Sequence, residues 1–401
     1  MAANGNTPPI RIIVPAFRDL EATQACLQSL AASDLPAGAS VHVIDDCSPD
    51  PALSQFCATF CGEQDWEFTK NAQNLGFVAT VNRGFQAADA DVILLNSDTR
   101  VYGNWVQRMA RCAYADDSTG TVTPFSNEAT ICSYPVFLAS NDLPPGWTAA
   151  AIDDLFARAN GELRHAIPTA VGFCMYIRRA CLDDVGEFDE DNFGRGYGEE
   201  CDFSMRAVQH GWSNMLAADV FVYHQGGASF QGESLELKTA ADHTMVSLHP
   251  EWGKLVDDFL NEDPLAALRK NVDTLRLGER PNDLGEVLDE HARYARSILD
   301  RLAALAALRE QGRVEIAALH EEREALRVLL EECRAQFATA DDALGQADKI
   351  VEQLRREVER LGPALDAATE KIEFLEARIA LMENSRSWRY TAWMRRGENR
   401  T

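Results

Sequence analysis

From Ile10 to Asn96 the chain alternates short β-rich apolar runs with stretches of helical period, and no other feature constrains the fold as much. The apolar runs are IRIIV, VHVID, WEFT and VILLN. Helical patterns lie between them, around Glu21 to Ala32, around Pro51 to Cys61, and from Phe77 onward. Strands separated by helices predict an α/β sheet with mostly parallel strands and ligand chemistry at the strands' carboxyl ends. Further along, AVGFCMYIRR and MLAADVFVYH read as strands, with CDFSMRAVQH as a helix between them. Residues 231–283 read as a helical appendage or linker.

Beyond Asn282 the composition shifts to Ala, Leu, Glu and Arg, and a heptad runs from Leu302 to Met382 without a phase break. Leu302, Ile316, Leu330, Leu344, Val351, Val358, Leu365, Ile372 and Ile379 fall at a, while Leu305, Leu319, Leu326, Leu354, Leu361, Leu375 and Met382 fall at d. A seam of about twelve heptads predicts a long coiled coil over residues 284–383, and with it a homo-oligomer. Arg309 and Arg323 at a, and Gly312 at d, interrupt the seam. Gly362-Pro363 is expected to kink or break the helix, since proline lacks an amide donor and clashes with the preceding turn. A solvated single helix is the other reading, but it would leave the apolar stripe in water.

Residues 384–401 reverse the acidic trend. They combine Trp388, Tyr390 and Trp393 with Arg386, Arg389, Arg395 and Arg396. Such a basic aromatic tail suits either a membrane interface or a packing contact. Over the whole chain the formal net charge is -25, which argues against nucleic-acid binding because phosphate contacts need clustered Lys and Arg. The ten cysteines show no CxxC pair and read as reduced thiols. Residues 1–9 lack an apolar leader and are expected to be disordered, and no run is long enough to cross a bilayer; the expected location is the cytoplasm, with peripheral contact on the inner membrane face through the tail.

Three motifs carry polar residues to strand ends. VHVIDDCSPD delivers Asp45 and Asp46 to a carboxyl end, where a carboxylate can accept the N3-H of a pyrimidine or simply cap a turn. In KNAQNLGFVATVNRGFQAADADVILLNSDTR, Asn74, Gly76 and Asn82 mark a loop and helix start that can approach a diphosphate; Ser97 and Asp98 then follow an apolar strand, the first place a hard cation finds oxygen ligands. FGRGYGEECDFSMRAVQHGW opens a helix on Glu199-Glu200, where the dipole tolerates carboxylates. His224 follows a strand and precedes Gly226-Gly227, as a ligand or as a satisfied polar residue.

In order, IIVPAFRD, VIDDCSPD, NAQNLGFVATVNRGF, LLNSDT, GYGEECDFSMRA and VYHQGGASF resemble the family 2 glycosyltransferases of the GT-A fold, especially bacterial enzymes that build O-antigen or other surface polysaccharides, rhamnosyltransferase-like members among them. The likeness covers about residues 10–230. It implies an α/β Rossmann-like GT-A domain ahead of the coiled coil, and an inverting transfer of sugar from a UDP- or dTDP-sugar to a hydroxyl of a glycan or lipid-linked acceptor. By the same resemblance, Asp46 binds the base, with Asp45, Pro15 and Phe17 beside it. Asp98 matches the last acid of the DXD motif and would hold Mn2+ or Mg2+, with His224 completing the site; Asn96 departs from the pattern because it is not an Asp. Glu200 falls where the family has the Asp of its ED pair, the catalytic base, and Glu199 and Asp202 would position the acceptor. Two rivals remain open: a sugar nucleotidyltransferase, for which RIIVPAFRDL lacks the glycine-rich basic loop, and a non-catalytic coiled-coil scaffold with a degenerate enzyme domain.

Overall fold

A computed structural model describes residues 8–194, 196–226, 234–337 and 344–384. The protein divides into two compact units, Met1–Ala292 and Arg293–Thr401. The first contains strands β1 (Ile10–Ala16), β2 (Ala39–Asp45), β3 (Glu67–Lys70), β4 (Asp91–Leu95), β5 (Thr99–Arg100), β6 (Thr119–Ser126), β7 (Arg164–Ala166), β8 (Cys174–Ile177) and β9 (Ser213–His224). Its helices are α1 (Leu20–Ala32), α2 (Pro51–Gln64), α3 (Phe77–Gln86), α4 (Trp105–Ala113), α5 (Ala149–Ala159), α6 (Arg179–Val185), α7 (Glu190–Phe193), α8 (Glu199–Gln209), α9 (Ser234–Leu248), α10 (Trp252–Glu262) and α11 (Ala266–Glu279). Helix α12 (Leu284–Phe337) begins in the first unit and continues into the second, which also holds α13 (Leu344–Asn384).

The strands form one sheet in the order β3-β2-β1-β4-β8-β6-β9-β5, with β7 also paired to β9. The first half follows the expected logic. β3, β2, β1 and β4 are mutually parallel, and the cores of β1, β2 and β4 are buried on both faces, as their continuous apolar runs require. Local chemistry places the helices between them: the carboxylate of Asp19 accepts from Ala22 N at 2.9 Å to start α1, and Asp50 accepts from Ala52 N at 2.9 Å to start α2, with Pro51 where its missing amide costs nothing.

The second half corrects the expectation of a mostly parallel sheet. β8 runs antiparallel to both β4 and β6, while β5 and β7 run antiparallel to β9, and β6 with β9 is the remaining parallel pair. The reason lies in the connection: between β4 and β8 the chain makes a long excursion through residues 96–173, not a single crossover helix, so nothing forces a parallel return. The nine described cysteines are all free thiols, seven of them buried.

In the second unit α12 and α13 pack antiparallel. Arg309 pairs with Glu376 at 2.6 Å, and Gly312 lies against Ile372, so rising numbers on one helix meet falling numbers on the other. Ile298, Leu305 and Leu375 form its buried centre, with Tyr294, Leu302 and Ile379 against them. Residues of the heptad seam therefore meet within one chain. A kink or break was expected at Gly362-Pro363, and α13 runs unbroken through it; residues 338–343 lie outside the described residues. Leu361 and Leu365, which flank the proline, are buried, and their packing offsets the lost amide bond. The basic aromatic tail also lies outside the described residues.

Close packing of α3 on β1 depends on Gly84, where an added Cβ would come within 2.7 Å of the Ile13 side chain. Gly84→Ala gains about 1 kcal/mol of helix propensity but meets about 1–3 kcal/mol of overpacking against a stiff β-branched neighbour. A net loss on the order of 1 kcal/mol is expected in chemical denaturation.

Candidate active site

The two-residue strand β5 sets the first part of the site. It pairs with the end of β9 so that Thr99 stands opposite His224, and Gln225 N donates to Asp98 O at 2.9 Å. Asp98 Oδ1 consequently lies 3.3 Å from His224 Nε2. On the other side of the ring, Nδ1 lies 2.9 Å from the backbone oxygen of Glu128, which can only accept, so Nδ1 carries a proton. A neutral ring would then aim the lone pair of Nε2 at a carboxylate. Two acceptors face each other unless a second proton or a cation lies between them. Burial alone would lower the His224 pKa; the hydrogen bond to Asp98 and its charge, with the Glu128 backbone and charge behind them, outweigh it and raise the pKa above the ordinary value.

Asn127 fixes the backbone of this histidine, receiving His224 N at 2.8 Å and donating to His224 O at 2.8 Å. The Glu128 carboxylate accepts from Ser140 at 3.0 Å and lies so close over Gly226 that a Cβ there would sit 2.0 Å from Oε2. Gly226 also holds a φ of 68°, open to glycine at little cost. Asn96, the departure from the acidic pattern, keeps an oxygen donor: its buried Oδ1 has no hydrogen-bond partner. Among the described residues no group of three or more His, Cys, Asp or Glu side chains converges to hold a metal.

Glu199 and Glu200 occupy the first turn of α8, whose N-cap is Gly198. The Glu199 side chain is buried, and one oxygen of each carboxyl is buried without a partner. Burial pushes Glu199 well above the ordinary carboxyl range, and the charge of Glu200 adds to the effect. Burial also raises Glu200, while backbone amides that include Gly198, Cys201 and Gly172 draw it partly back. A raised carboxyl suits proton transfer near neutral pH.

The third part gathers at the ends of β1 and β2. Asp46 N donates to Ala16 O at 2.8 Å, which brings Pro15 and half-buried Phe17 beside Asp46. The Asp46 carboxylate accepts from Asn71 Nδ2 at 2.8 Å, Leu75 N at 2.8 Å and Gly76 N at 2.9 Å, and its backbone oxygen accepts from Asn74 at 3.3 Å. Asp46 thus organises the whole 71–76 loop, including Gly76, which enters α3 at a φ of 90°. Asp45 takes Ser48 N at 2.6 Å and stands 3.3 Å from the Lys70 ammonium.

Two further candidates make structural contacts. Asn82 is buried and its amide meets the Phe188 backbone, donating at 2.9 Å and accepting at 3.1 Å, so it ties α3 to the chain before α7. Asp202 is buried and paired with His249 at 2.7 Å and Arg206 at 2.7 Å.

Gly172 and Phe173 join the parts. A Cβ on Gly172 would lie 3.6 Å from Glu200 Cγ, while the Phe173 ring stacks on His224 at 5.3 Å and its carbonyl accepts from Asn96 N at 2.9 Å. The Glu199-Glu200 turn and the Asp98–His224 pair therefore flank one dipeptide. Asp46 and Asp98 leave the same carboxyl edge on β2 and β4, with β1 between them, a separation of about 10 Å at two strand spacings. Asn127, Glu128, Gly172 and Phe173 were not singled out from sequence; SNE at the exit of β6 was a signal, had that strand been recognised.

Residues 11–186, just under half of the chain, match the family model for glycosyl transferase family 2. The protein is thus a glycosyltransferase, with a GT-A α/β domain followed by a long helical tail. The segment that matches the family model ends before Glu199, Glu200 and His224. No curated protein matches the chain. Among solved structures it is similar to the mannosyltransferase PcManGT from Pyrobaculum calidifontis in complex with GDP-Man and Mn2+, at 16% identity over 76% of this chain and 81% of that chain, TM-score 0.44. It is similar also to GalNAc-T7 with UDP, GalNAc and Mn2+, at 14% identity over 71% of this chain and 58% of that one, TM-score 0.47. A third is S. aureus TarS 1-349 in complex with UDP, at 16% identity, 63% and 71% coverage and TM-score 0.41.

Glu199 generates a stability prediction. Its raised pKa means the folded state keeps a proton that the unfolded chain releases near 4.5, so stability falls as pH rises from there to the raised value. Glu199→Gln removes that loss. Its melting temperature should exceed that of the parent by a margin that grows with pH above about 4.5 and then levels off; a margin independent of pH contradicts the assignment.

Proposed function

We propose that the chain is an inverting, divalent-metal-dependent glycosyltransferase that moves a sugar from a UDP- or dTDP-sugar to a hydroxyl of a glycan or lipid-linked glycan, in the building of a surface polysaccharide. The observation that carries the reading is the position of Gly172-Phe173, with Glu200 against one residue and His224 against the other. A base and a cation site on either side of one dipeptide suit a reaction in which charge leaves on one face of the anomeric carbon while a proton leaves on the other.

Asp98 and the Nε2 of His224 would hold the cation, with the free oxygen of Asn96 beside them in sequence. This donor set fits Mg2+ or Mn2+: such ions take one or two carboxylates and complete their shell with water and substrate phosphate. When bound, the metal supplies neutralisation of charge on the departing diphosphate. Glu200 takes the proton from the acceptor hydroxyl as that oxygen bonds to the anomeric carbon and the sugar-phosphate bond breaks. Direct displacement inverts the anomeric configuration. The loop that Asp46 organises, with Pro15 and Phe17 beside it, receives the nucleotide.

The paired seam of α12 and α13 leaves homo-oligomerisation to other surfaces, and the tail remains the candidate for contact with a membrane. Among the described residues no helix is long and apolar enough to cross one.

Two variants test the reading. UDP or dTDP with Mn2+ should raise the melting temperature of the parent and of Glu200→Gln, but not of Asp98→Ala, because a ligand stabilises only a fold that binds it. Metal-dependent turnover of the sugar nucleotide should fall by about 10²–10⁴-fold in Glu200→Gln, the range of a lost general base. Turnover within a few-fold of the parent would remove Glu200 as the base.

A further inference from the structure

His249 is a buried histidine that follows the last turn of α9, its N–H donating to Met245 O at 2.8 Å and its carbonyl accepting from Trp252 N at 2.9 Å. Its Nε2 lies 2.7 Å from Asp202 Oδ1, and its Nδ1 lies 3.4 Å from Gln209 at the far end of α8. A carboxylate only accepts, so Nε2 carries the proton. The other Asp202 oxygen takes Arg206 Nε at 2.7 Å, and the same guanidinium donates to Val185 O at 2.9 Å and Glu187 O at 2.8 Å. Asp202 thereby links the catalytic helix, the chain after α6 and the α9–α10 junction.

What this link fastens is a cover. Ala241 of α9 lies against Gly198, 3.3 Å from where a Cβ would stand, and Gly198 is the cap residue immediately before Glu199. Met245 of the same helix is buried in the core cluster that includes Phe193 and Phe203, with Cys201 packed against it. α9 thus runs over the first turn of α8. Nothing in the reaction chemistry calls on His249, yet its side chain bonds this cover to that turn through Asp202.

We propose that His249 acts through Asp202 as a positioning residue, holding α9 across the first turn of α8 and so setting the place and the dryness of Glu199 and Glu200. The proposal rests on the reading of this turn as the acid-base element. It gives a role to residues 234–249, which sequence leaves as an appendage. Tyr197 acts on Glu199 and Cys201 on both glutamates, while Asp242 of α9 acts on Cys201; among these described contacts there is no cation. Loosening the cover admits water to two carboxyls whose pKa burial raises.

The test is the titration of the two glutamate side-chain carboxyls by 13C NMR in the full chain, assigned through Glu199→Gln and Glu200→Gln. In His249→Ala the carboxyl titration should move down by about one unit or more towards the ordinary range. His249→Gln, long enough to donate to Asp202, should return it towards the parent. Should the alanine variant not fold, His249→Asn, polar but too short to meet Asp202, is read in the same way. A folded Ala or Asn variant that titrates like the parent overturns the proposal, as does a Gln variant that behaves like Ala. No donor or turnover enters this measurement, so its failure is separate from failure of the glycosyl-transfer reading.

Discussion

The stacking of the Phe173 ring on His224, with Gly172 beside Glu200, is the contact on which the site depends. A Cβ on Gly172 would stand 3.6 Å from Glu200 Cγ, an ordinary van der Waals distance, so the two residues lie side by side without crowding. One short loop before β8 thereby registers two elements that are distant in sequence, the β4–β5 exit and the start of α8. The antiparallel return of β8 against β4 brings that loop to the carboxyl edge of the parallel half. A wholly parallel sheet would have carried it to the opposite edge.

Support for the site extends outwards through buried polar contacts. Asn127 and Glu128, which hold both ends of His224, begin a loop whose later residues are tied to the C-terminal part of the first unit: Tyr134 donates to Asp273 at 3.0 Å, Trp147 to Asp283 at 2.6 Å, and Arg280 to Gly146 O at 2.8 Å. Beneath them Arg276, fully buried, meets both oxygens of Glu290 at 3.0 and 2.9 Å. A buried pair of this kind adds little net stability, but breaking one partner leaves an uncompensated charge, so the arrangement favours a single geometry. The segment that sequence describes as a linker is on this view part of the scaffold.

Much of the fold was legible because its signals are local. Period and apolar runs located β1 to β4 and α1 to α3, and the end of β9 was visible from MLAADVFVYH. β6, with Thr and Gly between its apolar residues, carries no alternation and went unrecognised, and with it went Asn127 and Glu128. Asp46, Asp98, Glu200 and His224 stood out as polar residues at element ends, but pairing decided the rest. Asn82 has the residue type for phosphate, yet it sits inside α3 and its amide meets the backbone of Phe188, more than a hundred residues away. Asp202 likewise finds its partner in His249, which no spacing rule connects to it. The heptad seam pointed to paired helices, and could not show that Arg309 meets Glu376 and Gly312 meets Ile372 within the same chain.

The central claim is that the cation site and the proton acceptor flank Gly172-Phe173 in one cleft. Paramagnetic broadening of backbone amide signals by Mn2+ in the presence of UDP tests it most directly, because the effect falls steeply with distance from the ion. The account predicts that Asp98, Phe173 and His224 broaden first, that Gly172 and Glu200 follow, and that Asp98→Ala abolishes the pattern. Broadening centred elsewhere, or leaving Phe173 and Glu200 sharp while Asp98 disappears, would contradict it.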